Sequence, residues 1–264
     1  MECAEIPTQH AAEREDEDDD QYLPDEDNAH QGLTVIESYG SDEQHLSGEK
    51  VLLWTASCLG DHDTVQRLLL LSEVDIEQGQ LGLTPLLAAV CRGHASIVNL
   101  LLRAGANGAF ATKRQTCLTT AAHNGRNDIV QLLLENNSTK NNPSFVNAAR
   151  GDGLSPLMLA SSEGYTDVAL TLIKHGADVN LVNTQCGDTA LMIASFTVRP
   201  AMVRLLLAHG ANAAHRRHKD SSTALHSALI YAPPPTSSYE DTTQIVQMLL
   251  DGGADINAAQ NDGV

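Results

Sequence analysis

TPLLAAVCRGHASIVNLLLRAGAN, residues 84–107, packs two short amphipathic runs into twenty-four positions and closes each with a glycine. Thr84-Pro85 reads as a helix start: the hydroxyl can accept from free backbone N–H groups, and proline sits where its missing N–H costs nothing. Leu86, Ala89 and Val90 fall on one face of that first helix, and Gly93 ends it. Ile97, Val98, Leu100 and Leu101 line a second helix at i, i+3, i+4 spacing, and Gly105 breaks it. Helices of about two turns are too short to persist alone in water. Their stability has to come from neighbours.

Those neighbours are visible in the sequence. The same pattern returns as TCLTTAAHNGRNDIVQLLLENN (116–137), SPLMLASSEGYTDVALTLIKHGADVN (155–180), TALMIASFTVRPAMVRLLLAHGAN (189–212) and TALHSALIYA (223–232), and a degenerate copy precedes them as VLLWTASCLGDHDTVQRLLL (51–70). With the position of Thr84 as marker, successive copies start 33, 32, 39, 34 and 34 residues apart. A unit of about 33 residues with a T-P-L-H-x-A pattern resembles the ankyrin repeat. The resemblance spans residues 48–264 and implies an all-α solenoid of about six helix-turn-helix repeats with β-turn fingers, starting near residues 48, 82, 114, 153, 187 and 221. It also implies a non-catalytic module that binds a protein or peptide on a concave face and on the fingers.

Composition agrees with helices in close approach. Hydrophobic residues make up 42% of the 264 and aromatic ones only 3%, so the core is built from Leu, Ala, Val and Ile. The five cysteines are odd in number and form no C-x-x-C pair, which argues against a disulfide framework or zinc ribbon and favours the reducing cytoplasm, with the nucleus as the alternative. No apolar run reaches the roughly 18 residues of a membrane span, so no membrane insertion is expected. The net charge of −18 is concentrated at the N-terminus: residues 1–47 hold 15 Asp and Glu against one Arg. EREDEDDDQYLPDED (13–27) has few apolar anchors to offset the entropy of ordering it, so residues 1–46 read as a disordered acidic tail. Its sign argues against nucleic acid as the main ligand.

Departures from the pattern carry expectations of their own. GEKVLLWTASCLGD (48–61), with Trp54 where many repeats have histidine, resembles an N-terminal capping repeat. NDGV (261–264) resembles the opening of a seventh, truncated at 263, so the chain reads as a fragment. ENNSTKNNPSFVNAARGD (135–152) puts extra residues in a connecting finger, and APPPTSSYEDTT (232–243) falls between the two helices of the sixth repeat. Val198 stands where glycine is usual and Pro200 follows, so a distorted turn is expected there.

Cys91, Arg92 and His94 would suggest a nucleophile with a base, but alignment dissolves the set. Asp61, Arg126, Tyr165 and Arg199 fill the place of His94 in other copies, which makes it a cap or packing residue. No copy repeats a Cys/His, Ser/His/Asp or paired-carboxylate arrangement, so neither catalytic residue, metal site nor cofactor is expected. HRRHKD (215–220) offers only two spaced histidines, too few for a metal, and reads better as a basic island on a finger.

The resemblance places variable positions on the exposed concave side and the finger tips. The expected partner contacts are Gln80, Arg92, Lys113, His123, Asn124, Glu163, Gln185, Phe196, Arg216 and Arg217, with Phe196 as an aromatic anchor and Lys113-Arg114 extending the basic finger surface. From the resemblance alone, LIKHGADVN (172–180) and LLDGGADIN (249–257) match the pattern favoured by the asparaginyl hydroxylase of ankyrin repeats, at Asn180 and Asn257. The alternative to a free-standing adaptor is the regulatory or targeting portion of a larger enzyme, channel or ubiquitin ligase; a purely structural spacer is the third reading.

Overall fold

A computed structural model describes residues 45–71, 74–79, 83–112, 115–136, 142–230 and 239–259. Residues 1–44 of the expected acidic tail, Gln80, Lys113, Arg114, most of the proline-rich insertion and the 260–264 segment lie outside the described residues.

Thirteen helices are present among the described residues: α1 (His45–Leu59), α2 (His62–Leu68), α3 (Pro85–Arg92), α4 (Ala95–Arg103), α5 (Cys117–His123), α6 (Asn127–Glu135), α7 (Pro143–Val146), α8 (Pro156–Glu163), α9 (Thr166–Lys174), α10 (Ala190–Phe196), α11 (Pro200–Ala208), α12 (Ala224–Ile230) and α13 (Tyr239–Asp251). All but α7 form six antiparallel pairs. First helices α1, α3, α5, α8, α10 and α12 stack in one row, and second helices α2, α4, α6, α9, α11 and α13 in another. One apolar core runs through the stack, from Leu53 and Val65 to Ile245 and Leu249. This is the nearest-neighbour architecture in which each pair is stabilised by the pairs on either side.

Local chemistry repeats with the pairs. Thr84 Oγ1 accepts from Leu87 N at 3.2 Å, Thr116 Oγ1 from Thr119 N at 3.0 Å, and Ser155 Oγ from Met158 N at 3.3 Å. Each such cap contributes about 1 kcal/mol. In the sixth pair the histidine of the TALH pattern takes part, with His226 Nδ1 accepting from Thr223 N at 3.2 Å. Between rows the chain turns through Gly93 at φ 80°, and His94 N donates to Ala89 O at 2.9 Å. The same bond recurs at Arg126, Tyr165 and Arg199.

Three expectations need correction. The first helix begins at His45, inside the segment read as disordered, and extends the first unit upstream of residue 48. The turn at Val198 is not distorted: Arg199 N still reaches Ala194 O at 2.9 Å, because Val198 itself adopts φ 53° and takes the left-handed conformation that glycine takes elsewhere. Extra residues around 135–152 are more than finger, since Asn142 caps the short helix α7 and Phe145 and Val146 are buried in the core.

The fingers are hairpin-like turns. Asn183 N donates to Asp188 O and Arg217 N to Ser222 O, both at 2.8 Å, and isolated antiparallel bridges join Ala111 to Thr116 and Val182 to Thr189.

Candidate recognition surface

Four expected contact residues close consecutive first-row helices. Arg92 ends α3, His123 ends α5, Glu163 ends α8 and Phe196 ends α10, and these helices stack in that order. The fold therefore gathers residues 31 to 40 apart in sequence, from two adjacent repeat positions, along one edge of the first-helix row. His123 is exposed and Arg92, Glu163 and Phe196 are half-buried; Asn124, the residue after His123, is exposed. His123 Nδ1 lies 3.8 Å from Glu163 Oε1, joining the third and fourth pairs across the surface. Ile230 ends α12 and extends the column with an exposed aliphatic side chain that the sequence reading missed. The signal was available, since Ile230 has the repeat position of Phe196.

The finger residues divide. Gln185 is exposed, and its Nε2 donates to Gly151 O at 2.6 Å. Arg216 is exposed and lies 3.7 Å from Asp255. Arg217 turns inward: its guanidinium sits 2.5 Å from Asp188 and 3.2 Å from Asp220, with side-chain exposures of 14% for Arg217 and 8% for Asp188. Its charge is satisfied inside the finger joint. Asn180 also spans a joint, donating through Nδ2 to Gly210 O at 3.0 Å and accepting from Asn212 N at 2.8 Å. Asn257 is exposed.

The reactive-looking residues have structural settings. His94 makes no side-chain cap; its Nε2 lies 3.1 Å from Cys58 O in the preceding pair. Burial, reinforced by neighbouring Cys58, pushes the Cys91 thiol up to about 11, and burial pushes Cys117 up to about 12. Cys91 is therefore protonated at neutral pH and poorly suited to nucleophilic attack. His215 Nε2 is 3.2 Å from Gly187 O, and among the described residues no group of three or more His, Cys, Asp or Glu could hold a metal. No helix among the described residues is long and apolar enough to cross a membrane.

Paired short helices, hairpin-like fingers and a column of varied side chains define a helical-repeat protein whose chemistry lies in its surface. The family description "Ankyrin repeats (3 copies)" matches residues 33–112, 52–144, 107–183 and 157–260. The chain belongs to the ankyrin-repeat family. It is 30% identical over 237 residues to the Caenorhabditis elegans ankyrin repeat and KH domain-containing protein mask-1, covering 88% of this chain and 8% of that protein. It is 32% identical over 184 residues to the mouse B-cell lymphoma 3 protein homolog, covering 69% of this chain and 38% of that one. The crystal structure of the ankyrin repeat domain of Bcl-3 superposes with a TM-score of 0.68 at 28% identity, over 80% of this chain and 91% of that chain. The chain thus spans less than half the length of these curated relatives. Ankyrin stacks are generally protein–protein interaction modules and typically non-catalytic.

Proposed function

We propose that this chain is an adaptor or scaffold that binds a partner protein or peptide along the column at the ends of its first-row helices, on the concave side of the stack, and on the adjoining fingers. The observation that carries the reading is the contrast within each first helix. Positions equivalent to Leu86 and Ala89 hold Leu and Ala in the second to sixth pairs, and these are buried, whereas the helix-end position runs Cys91, His123, Ser162, Phe196, Ile230 and the next runs Arg92, Asn124, Glu163, Thr197. A scaffold held constant beneath a surface that changes chemistry at each step is what selective recognition of an extended partner requires. Gln80, Arg92, Lys113, His123, Asn124, Glu163, Gln185, Phe196 and Arg216 are the proposed contacts; Arg217 supports the finger that presents Arg216. A cytoplasmic location, with the nucleus as the alternative, fits the unpaired cysteines. Asn180 and Asn257 remain the proposed sites of hydroxylation, to be checked by peptide mass spectrometry of the cellular protein.

Affinity capture with wild-type chain and with Phe196→Ala and His123→Ala/Asn124→Ala variants tests the surface. Selective loss of the same captured protein from both variants, with the melting temperature unchanged, supports it. Equal capture by all three refutes it.

The second reading is that the stack is the recognition portion of a longer protein. The relatives favour it: their names join ankyrin repeats to a KH domain, or, in human ankyrin repeat and SOCS box protein 6, to a SOCS box, and this chain covers 8% and 25% of those proteins. The full-length reading frame decides between them.

A further inference from the structure

Side-chain bridges fasten the first, third, fourth and fifth joints between helix pairs. Along the fingers, Glu77 Oε1 accepts from Asn107 N at 2.6 Å, Asn147 Oδ1 from Asp178 N at 2.9 Å and Asn180 Oδ1 from Asn212 N at 2.8 Å. Glu77, Asn147 and Asn180 share one repeat position, so these bonds form a ladder from finger to finger. Arg216 fastens the last joint instead, through Asp255 and the carbonyl oxygen of Ala259. At the opposite edge His94 bridges the first joint, His123 with Glu163 the third, and Arg199 the fourth.

The joint between the second and third pairs is built differently. Its ladder position is Ala109, whose methyl group can accept no hydrogen bond. Of the five first-row joints, it is the one at which neighbouring helices, α3 and α5, touch least. Asn136, the residue after α6, is extended at φ −61°, ψ 138°, whereas Ala104, His175 and His209 stay near helical values after α4, α9 and α11. A cleft of about 590 Å³ opens there, with Arg103 and Ala106 on one side and Leu132 and Glu135 on the other. Apolar packing is continuous beneath it, since Val90 and Leu101 of the second pair and Leu118 and Leu133 of the third are fully buried in one core.

We propose that this joint is a hinge: the first two pairs and the last four move as two bodies about the apolar contact of α3 and α4 with α5 and α6. Apolar packing is non-directional and resists separation, whereas hydrogen bonds between fingers fix an angle. With the ladder interrupted at Ala109, the core holds the two bodies together while bending opens and closes the cleft. Arg92 stands before the hinge and His123, Glu163 and Phe196 after it, so the bend sets the spacing between two parts of the contact column. That consequence rests on the proposed function; the hinge itself does not.

Double electron–electron resonance on the full chain tests the hinge without any partner, with nitroxides carried on non-cysteine amino acids at exposed second-row positions. Labels at Gln66 and Gln131 span the first and second joints, labels at Ser96 and Asp167 the second and third, and labels at Gln131 and Arg204 the third and fourth. Each pair of labels crosses two joints between equivalent repeat positions, so their distance distributions compare directly. The hinge predicts that the two distributions crossing the second joint are about twofold broader than the one that does not. Equal widths for all three overturn it. Broadening confined to Gln66 and Gln131 also overturns it, since the motion would then belong to the first joint.

Discussion

His94 reaches back 36 residues to place its Nε2 3.1 Å from the carbonyl oxygen of Cys58, so this nitrogen carries the proton and donates across the first joint. Arg199 does the same at the fourth joint, with Nε donating to Ser162 O at 3.1 Å. A Cβ on Gly60 would lie 2.7 Å from the His94 ring, so the turn glycine both reverses the chain and leaves room for the ring of the next pair. His94→Ala and Arg199→Ala should each cost about 1 kcal/mol. The two joints share no residues, so the double variant should cost their sum, within about 0.5 kcal/mol, in urea unfolding.

Arg217 and Arg216 are adjacent in sequence and opposite in role. Arg217→Ala leaves Asp188 buried without its counter-charge and should lose about 3 kcal/mol. Arg216→Ala breaks a long, exposed pair and should change stability by less than about 1 kcal/mol. Thermal melts of the two variants check this directly; equal losses would contradict the inward placement of Arg217.

Acid should weaken the stack through two aspartates. Hydrogen bonds from Thr64, opposed by burial, hold Asp61 below the ordinary Asp value of 3.8. Burial alone would raise Asp220, but hydrogen bonds from Ser222 and the charge of Arg217 outweigh it and hold it below 3.8 as well. Carboxyls that titrate lower when folded contribute stability above the unfolded value and lose it as pH falls through the folded one. Stability should therefore drop below about pH 4, and Asp61→Asn or Asp220→Asn should flatten that slope in unfolding measured between pH 5 and 2.

Alkylation should sort the cysteines. At about 11, Cys91 has roughly a hundredfold less thiolate at neutral pH than an ordinary thiol of 9.0. Iodoacetamide at pH 7.5 should modify Cys186, which is half-exposed, well before Cys58, Cys91 or Cys117. All should react in denaturant, and peptide mass spectrometry gives the order. Fast native labelling of Cys91 would reopen the case for a reactive site.

Much of this architecture was legible because each unit announces itself locally. Thr84, Thr116 and Ser155 cap the helices they precede in sequence, and the apolar spacing of α4 states which face is buried. What escaped depends on contacts between units. Arg217 looked like surface charge because its partner Asp188 lies 29 residues away and meets it only once two fingers stack. Val198 looked like a broken turn because composition cannot show that the backbone bond from Arg199 to Ala194 holds the turn in shape. The proposed contact column was legible as two adjacent variable positions, since repeat register puts His123 and Phe196 at one and Arg92, Asn124 and Glu163 at the next. Ile230 completes it, and its exposure depends on how the last pair sits.

The central claim is that the column at the ends of the first-row helices selects a partner. Its most direct test is quantitative affinity capture by the full chain beside two variant sets of matched stability: Phe196→Ala with His123→Ala on the column, and Arg103→Ala with Arg204→Ala on the second-helix row, where both arginines are exposed. The account predicts that column variants lose a defined partner at least tenfold while second-row variants retain it. Retention by the column variants with loss from the second-row set would contradict it.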